Sequence, residues 1–165
     1  MQRVVNYFKA EKLESAIFVV VGIIAVVISI YFLVKLQQPY YNGMAYALIA
    51  IALLQLTVGA SVYLRSDKDI ARVNQMIASN PDQISTIEKP GMEVVMKKFV
   101  LYRWIEIAQI ITGIILFFSF QHGSSWKGLG LGMMITGGLM LLFDLVAEKR
   151  GHTYLAFLQN FINGQ

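Results

Sequence analysis

SAIFVVVGIIAVVISIYFLVKL, residues 15–36, holds a single charged side chain, Lys35, near its far end. At a rise of about 1.5 Å per residue, a helix of this length covers the roughly 30 Å hydrocarbon core of a bilayer. Three further stretches read the same way. Residues 43–64 carry no charge, residues 99–120 carry only Arg103 and Glu106, and residues 128–147 carry only Asp144. The whole chain agrees: of its 165 residues 56% are apolar and 15% charged, with a mean hydropathy of +0.58. Soluble domains have about 45–50% apolar and about 25% charged residues. The sequence therefore predicts an all-α integral membrane protein with four transmembrane helices.

Composition narrows the chemistry further. There is no cysteine, so disulfides, Cys-ligated zinc or iron–sulfur centres and a thiolate nucleophile are excluded. The formal net charge of +4 does not imply nucleic acid, because an excess of Lys and Arg is what orientation in a membrane requires. Arg3, Lys9, Lys12, Arg65, Lys68, Arg72, Lys89, Lys97, Lys98, Arg103, Lys149 and Arg150 fall on one side of the spans. Only Lys35 and Lys127 fall on the other. By the positive-inside rule both termini are expected in the cytoplasm, the expected location being a prokaryotic inner (plasma) membrane. Twelve mixed-charge residues precede a first span too long for the apolar region of a signal peptide, so that span is expected to stay in the mature protein.

The outer links, 37–42 and 121–127, are short and carry Tyr40, Tyr41 and Trp126 where an interfacial aromatic belt belongs. Tight links join neighbours into antiparallel hairpins. Between the hairpins, Ser66 and Asp69 have the spacing of a capping box, and Ile70, Val73 and Ile77 recur at helical period before Asn80-Pro81. This predicts a short amphipathic helix over about 66–79, lying on the inner membrane surface. A matching one is expected over about 152–163, where Tyr154, Leu155, Phe157, Leu158, Phe161 and Ile162 cluster. After Pro90-Gly91, the stripe Met92, Val95, Met96 and Phe99 runs without a breaker into the third span, predicting one long helix to about Phe120.

The chain also resembles itself. At an offset of 91, residues 1–24 fall on 92–115 without a gap and with six identities, among them Phe8 on Phe99 and Gly22-Ile23-Ile24 on Gly113-Ile114-Ile115. After a six-residue shortening in the outer turn the offset becomes 85, with Tyr41-Asn42-Gly43 on Trp126-Lys127-Gly128 and Arg65 on Arg150. The expected organisation is two tandem hairpin repeats. Residues 1–80 form the first, with spans at about 15–36 and 43–64, and residues 92–165 the second, with spans at about 99–120 and 128–147. Ala45, Ala52, Gly59 and Ser66 recur every seven residues, as do Gly130, Gly137, Asp144 and Gly151. Small residues let helix backbones approach closely in lipid. Ala45, Ala52, Gly59, Gly130 and Gly137 are therefore expected to form the seam between the second and fourth spans.

Ionisable groups within apolar spans are costly and count as candidate sites. Arg103 and Glu106 lie one turn apart, with Gln109 and Gly113 continuing their face, while Asp144 and Glu148 lie one turn apart on the fourth span. Two readings stand. In one, Glu106 and Asp144 form a cytoplasm-facing polar site for a proton or cation, tuned by Arg103. In the other, Arg103 pairs with Asp144 or Glu106 merely to fix helix register. No metal centre or other cofactor is expected: Asp144, Glu148 and His152 are evenly spaced, but His122, the other histidine, lies on the opposite side. Gly128-Leu-Gly-Leu-Gly132 is a packing signal rather than a phosphate loop, and Ser124-Ser125 reads as an ordinary turn. The leading expectation is a transporter- or channel-like bundle without enzymatic activity, whose partners are the lipid bilayer and either a second copy of the chain or another membrane protein. A scaffold or accessory subunit of a membrane complex, and a lipid-modifying membrane enzyme, are the alternatives.

Overall fold

The computed structural model describes residues 2–164, and they are all-helical. Four helices, α1 (Gln2–Tyr31), α2 (Pro39–Ser79), α3 (Lys89–Ser119) and α4 (Ser125–Asn163), account for most of the chain. Two π-helical turns, Phe32–Leu36 and Ile84–Glu88, extend α1 and lead into α3. Each of the four rods is long and apolar enough to cross a membrane. They form a bundle whose two ends are conveniently named the turn end, holding the links after α1 and α3, and the termini end.

The turns follow from local chemistry. After Phe32–Leu36 the chain reverses through Gln37, in the left-handed conformation at φ 50°, whose N–H donates to the Phe32 carbonyl at 3.1 Å. Gln38 is extended, and Pro39 opens α2, where its missing N–H costs nothing. The other link uses Gly123 at φ 84°, a conformation that favours glycine. Ser124 then caps α4, its side chain accepting from the Lys127 N–H at 3.2 Å.

Two expectations change. Residues 66–79 and 152–163 are not separate surface helices: they continue α2 and α4 without a break. Ser66 caps nothing. Fully buried, it donates back to the Val62 carbonyl at 2.7 Å, the i−4 bond open to a serine inside a helix. Nor do the amphipathic stripes lie flat on a bilayer surface, because they pack on one another. Val4 and Phe8 of α1, Val73 and Met76 of α2, Ile84, Met92 and Met96 before and within α3, and Tyr154 and Leu158 of α4 form one buried core at the termini end. The physical reason is that each stripe finds an apolar partner in the other helices, and nothing in 64–79 or 147–163 interrupts helix. At about 1.5 Å per residue the 41 residues of α2 reach about 62 Å, twice a hydrocarbon core, so half the rod has to be satisfied elsewhere.

This core is wired by a buried polar link. Glu88 accepts from Arg72 Nη1 at 2.8 Å and from the Tyr154 hydroxyl at 3.0 Å, and Tyr7 stacks on Tyr154 with ring centroids 4.2 Å apart. Burial, then the neighbouring Glu88 carboxylate, pushes the Tyr154 phenol above its ordinary range.

Packing along the rods is unequal. α1 packs on α2, α3 on α4, and α2 on α4. In the most apolar windows 22% of α2 and of α4 is buried inside the protein against 11% of the other two, so α2 and α4 are the inner pair. Their crossing lies near the turn end. A Cβ on Gly43 would land on the Ser125 carbonyl, one on Gly128 would land on the Tyr40 carbonyl, and one on Gly132 would come within 2.7 Å of the Ala47 Cβ. The small-residue stripe expected at this seam lies one face over and packs within each pair. Gly59 faces Val19 and Ser15 of α1, Gly22 of α1 faces Ala52 and Leu56, and Gly130 and Gly137 face Gly113, Ile110 and Glu106 of α3. Ala45 is fully buried. The stripe serves neighbours joined by short turns, which have to run in contact along most of their length, whereas α2 and α4 need only one crossing.

Candidate functional site

α3 and α4 bring four charged side chains to the half of the bundle nearer the termini end, and they divide into two groups. Arg103 Nη2 is ion-paired with Glu148, leaving Glu106 and Asp144 without the guanidinium that either was expected to share. A second pair, Arg150 with Glu14, ties α4 to α1. Glu14 and Arg150 were not singled out as a pair in the sequence, where 136 residues separate them.

Glu106 is 2% exposed, and neither of its carboxylate oxygens meets an N–H or hydroxyl donor of the protein. It lines a cavity of about 420 Å³ shared with Asp144 and Gln109, whose walls are Phe18 of α1, Ile51, Leu54 and Val58 of α2, Tyr102 and Ile105 of α3, and Met140 of α4. All four helices contribute. The two acids are not level: the Glu106 carbonyl lies 3.4 Å from a Cβ built on Gly137, and Asp144 is seven residues beyond, about 10 Å further toward the termini end. Helical side chains tilt toward the N-terminus of their own helix. Because α3 and α4 are antiparallel, Glu106 leans toward the termini end and Asp144 toward the turn end, so the carboxylates lean toward one another.

Gln109 fixes the turn-end edge of this cavity, its Nε2 donating to Thr136 Oγ1 at 2.9 Å and to the Met133 carbonyl at 3.2 Å. These bonds tie α3 to α4 at that level. Beyond it a further cavity of about 470 Å³ shares Ile51, Ile105 and Gln109. Toward the termini end one of about 240 Å³ shares Phe18, Val58, Tyr102 and Asp144, and reaches Glu11, Glu14, Arg65 and Arg150. Three cavities thus follow one another along the bundle, with Asp144 at one junction and Gln109 at the other. At the termini-end mouth, burial outweighs Arg65 and Arg150 and holds the Glu11 carboxyl above its ordinary range.

Among the described residues, no three His, Cys, Asp or Glu side chains converge closely enough to hold a metal ion. His152 Nε2 lies 3.8 Å from Glu148, which already serves Arg103. No protein-family model, curated protein or solved structure matches the chain.

Proposed function

We propose that the chain is an integral membrane transport protein of the inner membrane, built of two tandem hairpins with both termini in the cytoplasm, and that Glu106 and Asp144 bind the proton or cation it moves. The observation that carries this reading is the Glu106 carboxylate. It is sealed from solvent, unpartnered by any protein donor, and aimed into a cavity shared with a second carboxylate. A carboxylate held only for architecture would take Arg103, one turn away, but Arg103 is committed to Glu148. Two nearby acids, neither of them in an ion pair, favour taking up a positive charge.

The contacts of α2 and α4 support the repeat. Gly43 meets Ser125 and Leu129, and Gly128 meets Tyr40 and Met44. Adding 85 to 40, 43 and 44 gives 125, 128 and 129, so the crossing is reciprocal at the offset found in the sequence. The outer helices do not follow that symmetry. Gly22 faces Ala52 and Leu56, whereas Gly113 faces Gly130 and Met134, seven residues short of the positions that correspond. The first rod continues to Leu36, fourteen residues past Gly22, while α3 stops at Ser119, six past Gly113. To reach its turn α3 is slid outward by about two helical turns. The slide carries Glu106 deeper than Ser15, its counterpart, which sits against Gly59. The acidic site is thus where the second repeat departs from the first.

The test is flux through the purified chain in proteoliposomes under an imposed pH or cation gradient, read by a trapped indicator. Native protein is expected to dissipate the gradient, and Glu106→Gln and Asp144→Asn to abolish the dissipation without lowering thermal stability. Flux no greater than in empty liposomes, or flux unchanged in the double variant, overturns the proposal.

A further inference from the structure

α2 and α3 are linked through the Asn80 turn and share the core at the termini end, but beyond it they part. Among the described residues no Cα of α2 comes within 8 Å of a Cα of α3. The 420 Å³ cavity lies in this gap, and its rim is formed by Leu54 and Val58 on one side and Tyr102 and Ile105 on the other. These four are 47%, 46%, 45% and 54% exposed, whereas Glu106 behind them is 2% exposed. The rim belongs to the apolar spans, and in the proposed membrane-inserted state it faces acyl chain. The cavity opens sideways into the bilayer.

Its chemistry narrows what can occupy it. Two carboxylates supply negative charge, and no Lys, Arg or His lines the space. The other walls are aliphatic or aromatic apart from Gln109, whose amide N–H groups already serve Met133 and Thr136. A bare inorganic cation, which binds through oxygen ligands, would use only the carboxylates, the Gln109 amide oxygen and the Tyr102 hydroxyl, and would leave the aliphatic and aromatic walls that make up most of this lining without a role. A cation that carries its own apolar surface loses nothing on entering, and the Phe18 and Tyr102 rings add attraction for positive charge. The volume lies in the range of about 300–1,000 Å³ usual for small-molecule sites. We propose that this cavity binds a lipophilic organic monocation admitted laterally from the bilayer between α2 and α3, with Glu106 as its counter-charge and Asp144 beside it.

This rests on the reading of Glu106 and Asp144 as the cation site, and adds to it the substrate class and the route of access. The probe is tetraphenylphosphonium, its equilibrium binding measured on the full chain in nanodiscs of zwitterionic lipid with empty nanodiscs subtracted. Tetraphenylborate, of the same shape and opposite charge, and tetramethylammonium, of the same charge without the apolar surface, are measured separately. Native protein is expected to bind tetraphenylphosphonium saturably and neither control. Glu106→Gln should weaken binding at least about tenfold, equivalent to about 1.4 kcal/mol, and Glu106→Asp should retain most of it. Val58→Trp, which narrows the rim on its lipid side without touching a carboxylate, should also weaken binding, and keeps the test open should Glu106→Gln not fold. Absence of saturable binding, equal binding of tetraphenylborate, or native affinity in both Glu106→Gln and Val58→Trp overturns the inference. Glu106-dependent flux in proteoliposomes without tetraphenylphosphonium binding overturns the inference alone. Binding without flux supports the inference and overturns the transport reading.

Discussion

At the scale of single residues, Arg103 decides how the acidic cluster is to be understood. Its side chain is 36% exposed and that of Glu148 13%, so the pair sits at the edge of the buried region, where coupling is modest. Removing either partner leaves the other short of a counter-charge. Arg103→Gln and Glu148→Gln are each expected to destabilise by about 1–2 kcal/mol, below the 3–5 kcal/mol of a sealed pair. In a double-mutant cycle by chemical or thermal unfolding, the two should couple by about 1 kcal/mol, whereas Arg103→Gln and Glu106→Gln should be additive within about 0.5 kcal/mol. Strong coupling between Arg103 and Glu106 would return the cluster to a purely architectural role. The sequence made all four residues visible, because charge in an apolar span is conspicuous. It offered Arg103 either Asp144 or Glu106, and the pair is made with Glu148 instead, one turn from Asp144, because the relative slide of α3 on α4 sets which acid comes level.

At the scale of helices, the glycines divide into those that set a crossing and those that do not. Gly43 and Gly128 hold α2 and α4 backbone to backbone, while a Cβ on Gly138, on the same helix as Gly128, meets nothing within 4 Å. Gly43→Leu or Gly128→Leu has to force two backbones apart, and is expected to cost at least about 3 kcal/mol. Gly138→Leu should be neutral or slightly stabilising through helix propensity. Thermal melting in one detergent compares them directly, and equal melting of all three variants would deny the crossing. The seven-residue spacing of small residues was legible, but the face it covers was not. Period gives a stripe, and whether the stripe meets the helix across the turn or the helix across the bundle depends on rotation about the rod. The same ambiguity governed 66–79 and 152–163. Their amphipathic period was read from Ile70, Val73 and Ile77, and from Tyr154 and Leu158, but an apolar stripe is equally content against headgroups or against three other stripes. The absence of any breaker after Leu64 or Ala147 was the overlooked signal for continuous rods.

At the scale of the molecule, a bundle extending well beyond one hydrocarbon thickness, with its sealed core at the termini end, gives the proposed orientation a sharp test. Single cysteines at Gln38 and Ser124 should react with a membrane-impermeant thiol reagent applied to intact cells, and cysteines at Ser79 and Asn163 should react only after permeabilisation. The reverse pattern would invert the proposed topology. The distribution of packing also has a mechanical consequence. The rods are pinned twice, by the glycine crossing of α2 and α4 near one end and by the knot around Tyr154 and Glu88 at the other, and between these pins α2 and α3 stand apart. A body fastened at both ends and slack at the waist does not swing on a hinge. It bows, as the staves of a lantern do, and because α3 is laid against α4 along its length, what parts at the waist is the α2–α3 seam and not a single stave.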